Sequence, residues 1–279
     1  MWELLPVHCA SPPYTTSELA PLPASGIVSE RRNTVPLSPI GTVRALPGRA
    51  FDFREVVSIH SGEQDTMSDI KVRKLVNPSE SDIDEVAKTL AAAFAKDTFT
   101  VAVCGGDTSK IYGFERATAA AAALAGELWV ASYGEHDFAS VAVWIHPGRD
   151  LLDSSDQRDA GYNQLFSSFE PELVKWWMED FLPHYAEVNT KALGDGTKTA
   201  NWSLQLIGTL PELQRCGLAS ALCLAMEEKV KAENKFITLE VEEPNNLPFY
   251  GAIGWKAVYG PEHFDATGGR SFPMWVLRS

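Results

Sequence analysis

The chain has 279 residues, 45% of them hydrophobic, and a formal net charge of −13. That is enough for one large domain or two small ones with a true core. The acidity excludes a polyanion such as duplex DNA as the expected partner, because neutralising phosphates requires surplus lysine and arginine. Cys9, Cys104, Cys216 and Cys223 form no CxxC pair, so no zinc knuckle, other metal site or dense disulfide framework is expected, and a reducing, cytoplasmic compartment is. No run of about 18 apolar residues is present, so no membrane span is expected.

Residues 1–66 hold eight of the 17 prolines and no lysine, with little apolar periodicity, and are expected to be disordered. Their start, MWELLPVHCASPP, has Glu3 and no basic residue ahead of a short apolar patch, a poor signal peptide. Five arginines against seven acids make a poor transit peptide as well. Met67 is followed at once by the strand-like IKVRKLV (70–76), so the functional domain is expected to span 67–279.

Mixed α/β order follows. Ser79 or Ser81 caps a predicted helix over 82–97, with Ile83, Val86, Leu90 and Phe94 on one face. A second helix is predicted over 109–125, its run Ala119–Ala123 packed close on a sheet. GELWVASYG (126–134) and SVAVWIHPG (140–148) read as strands with His136 and Asp137 in the turn. Residues 149–198 read as an insertion. Within it Phe166, Phe169, Leu173, Trp176 or Trp177, and Phe181 recur at intervals of three and four, giving an amphipathic helix with Pro171 in its first turn and Pro183 at its end. Core packing is the plainer reading of these aromatics; a substrate-pocket wall is the alternative. Strands are then predicted at 201–210, 235–243, 255–260 and 271–279, with helices from Gly217 to Asn234 and over 245–254.

The turn between the strand at 201–210 and the helix at Gly217 carries the chemistry. The first amides of a helix lack internal partners and, with the helix dipole, attract an anion. Gly217 and Ala219 let the backbone approach closely, and Arg215 adds a cation. These are the parts of a pyrophosphate cradle. It lacks the Lys-Ser/Thr ending of a P-loop and the GxGxxG spacing of a dinucleotide site.

Gln214-Arg215-Cys216-Gly217-Leu218-Ala219 resembles the Q/R-x-x-G-x-G/A motif of the Gcn5-related N-acetyltransferases. NLPFYGAIGW (246–255) resembles the closing signature of the same family, and AFAKDTF more loosely resembles a fungal, small-molecule branch. The motifs cover about 200–260. The resemblance implies an α/β fold: a mixed, largely antiparallel sheet of six or seven strands flanked by helices, its fourth and fifth strands splayed around acetyl-CoA. It implies that the main chain of Ile207, Gly208 and Thr209 holds pantetheine and supplies an oxyanion donor. It also implies that amides of Gln214, Arg215, Cys216, Gly217, Leu218, Ala219 and Ser220 wrap the pyrophosphate, and that Asn246 contacts the cofactor. Tyr250 would protonate the departing thiolate. The fourth strand offers no carboxylate for a base, so Glu240 is the first candidate, followed by Glu242, His146 and His184. The expected activity is direct acetyl transfer to a small-molecule amine, without nucleic-acid or membrane partners. A module that binds acyl-CoA without turning it over is the alternative.

Overall fold

The computed structural model describes residues 70–279; the segment expected to be disordered, 1–66, lies outside the described residues. Seven strands among these form one sheet in the order β1 (Lys71–Lys74), β2 (Gly126–Tyr133), β3 (His136–Ile145), β4 (Trp202–Thr209), β5 (Ile237–Val241), β7 (Arg270–Arg278), β6 (Lys256–Ala266). All neighbours pair antiparallel except β4 and β5, which are parallel. The mixed, largely antiparallel sheet flanked by helices is therefore as expected.

Alternate residues of β2 and β3 serve opposite faces, as the pleat requires. Leu128, Val130, Val141, Val143 and Ile145 pack against α1 (Glu80–Ala93) and α3 (Ile111–Ala125). Ala131, Ala142 and Trp144 pack against α8 (Leu218–Ala232). The alanine run does what its small side chains allow: Ala119 to Ala122 are buried against the sheet. On the other face Leu218, Leu222, Met226 and Val230, spaced by four, form the inward stripe of α8, one edge of a 3.6-residue period.

Two local expectations need correction here. The β2–β3 turn is Gly134-Glu135, because Gly134 takes a left-handed φ of 57° and Tyr133 pairs with His136; a two-residue hairpin favours such backbone. His136 and Asp137 thus lie in β3. The first helix ends at Ala93, and Asp97 instead caps α2 (Thr98–Val103), accepting from the Thr100 amide at 2.7 Å. Asp is among the strongest N-caps, and that preference outweighs continuation of the helix. At the other end Ser79 and Asp82 form a reciprocal capping box.

The insertion holds α4 (Ser155–Gln157), α5 (Asn163–Ser167) and then a continuous helical run made of α6 (Pro171–Trp176), a wide five-residue turn over Trp177–Phe181, and α7 (Leu182–Leu193); Phe166 and Phe169 lie ahead of that run. Pro171 does open α6. Pro183 does not end the helix. It sits in the first turn of α7 just after the wide turn, where the Leu182 amide bonds back to the Trp177 carbonyl. That wider winding accommodates a residue without an N–H, so the helix continues.

Candidate active site

β4 and β5 hold register over three pairs, Trp202 with Ile237, Ser203 with Thr238 and Leu204 with Leu239. Beyond them lies a cavity, lined by Gln205, Leu206 and Ile207 on one side and by Glu240, Val241 and Glu242 on the other. A bulge sits at its edge. Val143 pairs with Leu206 and Trp144 with Leu204, leaving Gln205 without a partner on β3. A bulge re-aims backbone groups locally, and this one lies beside the cavity.

Glu240 and Glu242 reach the cavity from the same face of β5, while Leu239 and Val241 belong to the core under α8. Asp97 and Glu243 line it too, as does Asp150 after β3; no lysine, arginine or histidine among the described residues lines it. The remaining wall is largely apolar, and Phe99 of α2, Phe114 of α3, and Trp177, Phe181 and Tyr185 of the insertion supply rings to it. Trp177 donates its indole N–H to the Val103 carbonyl at 2.8 Å, and its ring meets Phe181 edge-on at 5.0 Å. The insertion's aromatics therefore play both roles that their spacing allows. Phe166, Leu173 and Trp176 are core, whereas Trp177 and Phe181 are buried and also face the cavity.

Four of the sequence-derived site residues, Ile207, Glu240, Asn246 and Tyr250, line this one cavity. Tyr250 is buried in α9 (Leu247–Ala252), stacked on Trp255 at 5.6 Å and edge-on to Phe249 at 4.9 Å. Burial, before the neighbouring Cys223 and Glu242, holds its phenol well above the ordinary range, so it keeps its proton. Gly208 has a second reason to be glycine: a Cβ there would stand 3.0 Å from Ala93 and 3.1 Å from Leu90, so α1 packs directly on it. The Thr209 hydroxyl meets Ser140 at 2.8 Å.

The segment 214–217 lies at the surface, and Leu218 anchors the start of α8 in the core. Arg215 and Gly217 both take left-handed backbone, φ 69° and 88°. Gly217 is the N-cap of α8, and no side chain caps the first amides. Such amides with alternating backbone handedness form an anion-binding concavity. Cys216 lies beside the Gln214 carbonyl, its sulfur 3.8 Å away.

The candidate bases separate. Glu240 is bound by the buried Lys198 ammonium at 2.9 Å, and Lys198 also contacts the Tyr185 hydroxyl. Burial pulls that ammonium down, but Glu240 and Tyr185 outweigh it and hold it above the ordinary lysine range. That ion pair occupies the Glu240 carboxylate. Glu242 has no such partner; burial first, then Glu240 and Asp97, raises its carboxyl well above the usual range. Asp97 is raised too, by burial and by Glu243, against its bond to Thr100. His184 pairs with Glu262 at 3.2 Å and stacks on Phe264. His146 lies 3.5 Å from Glu127 and against Trp202, away from the cavity lining. Sequence reading missed Asp97, whose signal was its N-cap position, and Lys198, for which no local pattern exists.

A family model described as an acetyltransferase (GNAT) domain matches residues 156–277. The match begins inside the insertion, while β1 to β3 with α1 and α3 precede it and complete the same sheet. Among solved structures, the C-terminal condensation domain of Ebony in complex with beta-alanyl-dopamine is similar. It is 11% identical, covers 75% of this chain and 98% of that one, and has a TM-score of 0.51, which shows a shared fold. A histone acetyltransferase HPA2-related protein from Corynebacterium glutamicum aligns at 20% identity over 74% of this chain and 95% of that one, TM-score 0.49. A Drosophila melanogaster polyamine N-acetyltransferase aligns at 12% identity over 76% and 100%, TM-score 0.49. Residues 156–277 thus match an acetyltransferase (GNAT) domain, and N-acetyl transfer is the activity which that match supports.

Proposed function

We propose that this chain transfers acetyl from acetyl-CoA to a small amine by direct attack within a ternary complex. One observation carries the reading. A cavity opens where β4 and β5 part, and Tyr250 and five carboxylates, with no basic side chain, line it. Such a wall favours a cation. AFAKDTF contributes Asp97 and Phe99 to it, which supports the small-molecule reading.

The chain's groups fit the cofactor. The uncapped amides at Gly217 to Ser220 and the left-handed Arg215 suit a pyrophosphate. The edge of β4 facing the gap, at Gln205 to Ile207, suits a pantetheine arm. When bound, acetyl-CoA supplies an acyl group activated as a thioester. Asp97 and Glu242 attract and orient the ammonium. Glu242, whose proton affinity is raised by burial, then takes its proton, a task that needs affinity above that of an ordinary carboxylate. A main-chain amide on this edge of β4, beside the cavity, would be a preorganised donor for the charge developing on the carbonyl oxygen. Tyr250, protonated at neutral pH, donates to the sulfur as the bond to carbon breaks. Glu240, paired with Lys198, positions the wall and is not the base.

Thiol release from acetyl-CoA with a panel of small amines tests the reading. Tight CoA binding with no acceptor turned over would instead favour a module that only binds acyl-CoA.

A further inference from the structure

The cavity's acids are not equivalent. Asp97, Glu242 and Glu243 form one set at the N-terminus of α2 and the end of β5. Each is felt by another's charge, and Glu242 is felt by Tyr250. Glu243 accepts weakly from the Thr98 amide at 3.3 Å, and Asp97 from that of Thr100; neither they nor Glu242 meets a basic side chain among the described residues. Glu240 is different. Its Oε1 is 2.9 Å from the Lys198 ammonium, which also lies 4.4 Å from the centre of the Tyr185 ring. Both partners are nearly excluded from solvent, at 10% and 5% side-chain exposure. The wall from α2, α3 and the insertion is formed by Phe99, Phe114, Trp177 and Phe181.

We infer that the acceptor is a primary amine with one ammonium on an aromatic body. Asp97 and Glu242 receive the ammonium, the rings of Phe99, Phe114, Trp177 and Phe181 receive the body, and Lys198 excludes a second positive charge. The inference rests on the acetyl-transfer reading above. Each alternative fails on a named group. A diamine brings a second ammonium towards Glu240 and Asp150, the two lining carboxylates whose charge the Lys198 ammonium already offsets, so it meets a like charge there; this is selection by an unfavourable contact. An amino acid or acidic peptide brings a carboxylate to a wall whose nearest cation is already paired. An alkylamine satisfies the acids but leaves the aromatic faces in contact with poorly matched surface. Lys198 touches no reacting atom, so its role is positioning and selection.

The test uses the full chain and acetyl-CoA, with thiol release read for 2-phenylethylamine, n-butylamine, 1,4-diaminobutane and phenylalanine. The aryl amine is expected to exceed n-butylamine in kcat/KM by about 10-fold or more, the scale on which apolar pockets discriminate. The diamine and the amino acid should fall below both. Lys198→Met should raise the diamine-to-aryl-amine ratio of kcat/KM by about 10-fold, mainly through KM for the diamine, as removal of a like charge predicts. That ratio is insensitive to the fraction of protein that folds, and a purely structural role would leave it unchanged. If K198M does not fold, the wild-type series decides alone. A diamine or butylamine equal to the aryl amine overturns the inference while leaving acetyl transfer intact. Silence with every acceptor overturns both.

Discussion

Glu127 gives the sharpest quantitative test of how this fold is held. Its side chain is 2% exposed at the start of β2, yet it meets Lys229 of α8 at 2.5 Å, Lys74 of β1 at 2.7 Å and the Trp129 indole at 2.8 Å. Burial alone would raise its pKa. The bonds from Lys229, Lys74 and Trp129 win and take it from 4.5 down to about 2. A depressed acid stabilises the fold fully above its unfolded value of 4.5, and that contribution is lost as pH falls towards 2. Roughly 2.5 pH units at about 1.4 kcal/mol each gives about 3 kcal/mol. Lys74 and Lys229 remain 42% and 30% exposed, so solvent screening reduces this to about 2 kcal/mol. Glu127→Gln should therefore lower Tm at pH 7 by roughly 4–8 °C for a domain of this size. The gap between wild type and variant should close as pH falls from about 4.5 to 2. Urea or thermal unfolding at pH 7, 4 and 2.5 measures it. An equal deficit at all three values would refute the electrostatic origin, and no deficit at pH 7 would refute the network itself.

Three further outcomes follow from the site and the core. Tyr250→Phe should lower kcat by about 100-fold or more, the usual worth of a positioned acid, with little change in CoA affinity; equal turnover would remove the phenol from the acid role. Gly217→Val should weaken CoA binding by roughly 5- to 30-fold, because a β-branched side chain at a φ of 88° is strained by about 1–2 kcal/mol and obstructs the α8 amides; calorimetry that finds unchanged affinity would move the pyrophosphate elsewhere. Glu115 is fully buried with neither carboxyl oxygen hydrogen-bonded among the described residues, and burial, then Asp97, raises its pKa well above 4.5. A raised acid stabilises below its unfolded pKa and loses that contribution as pH rises, so Glu115→Gln should be at least as stable as wild type at pH 7, with its advantage growing as pH rises above 4.5; a pH-independent loss in unfolding curves would contradict this.

Much of this was legible in the sequence, for identifiable reasons. Strands and α8 announce themselves because burial of one face imposes a period, as Leu218, Leu222, Met226 and Val230 do. The turn ahead of α8 was legible because its left-handed backbone restricts residue choice at Gly217. What escaped were relations between distant residues. Nothing near Glu240 in sequence announces that Lys198, 42 positions earlier, binds it. Asp97 was hidden by a helical pattern that continues past it, where the capping preference prevailed. Pro183 was read as a stop because local rules assume 3.6-residue winding, and the wide turn over Trp177–Phe181 departs from that.

That wide turn has a consequence for how acceptor choice could change over time. An α-helix advances by about 100° per residue, and a π turn amounts to one residue inserted into regular winding. Because the wide turn takes up the extra residue locally, removing one residue between Trp177 and Phe181 would restore ordinary pitch and leave α7 in phase, while re-aiming the Trp177 and Phe181 rings that line the cavity. In this architecture the number of residues, as much as their identity, sets the shape of the cavity.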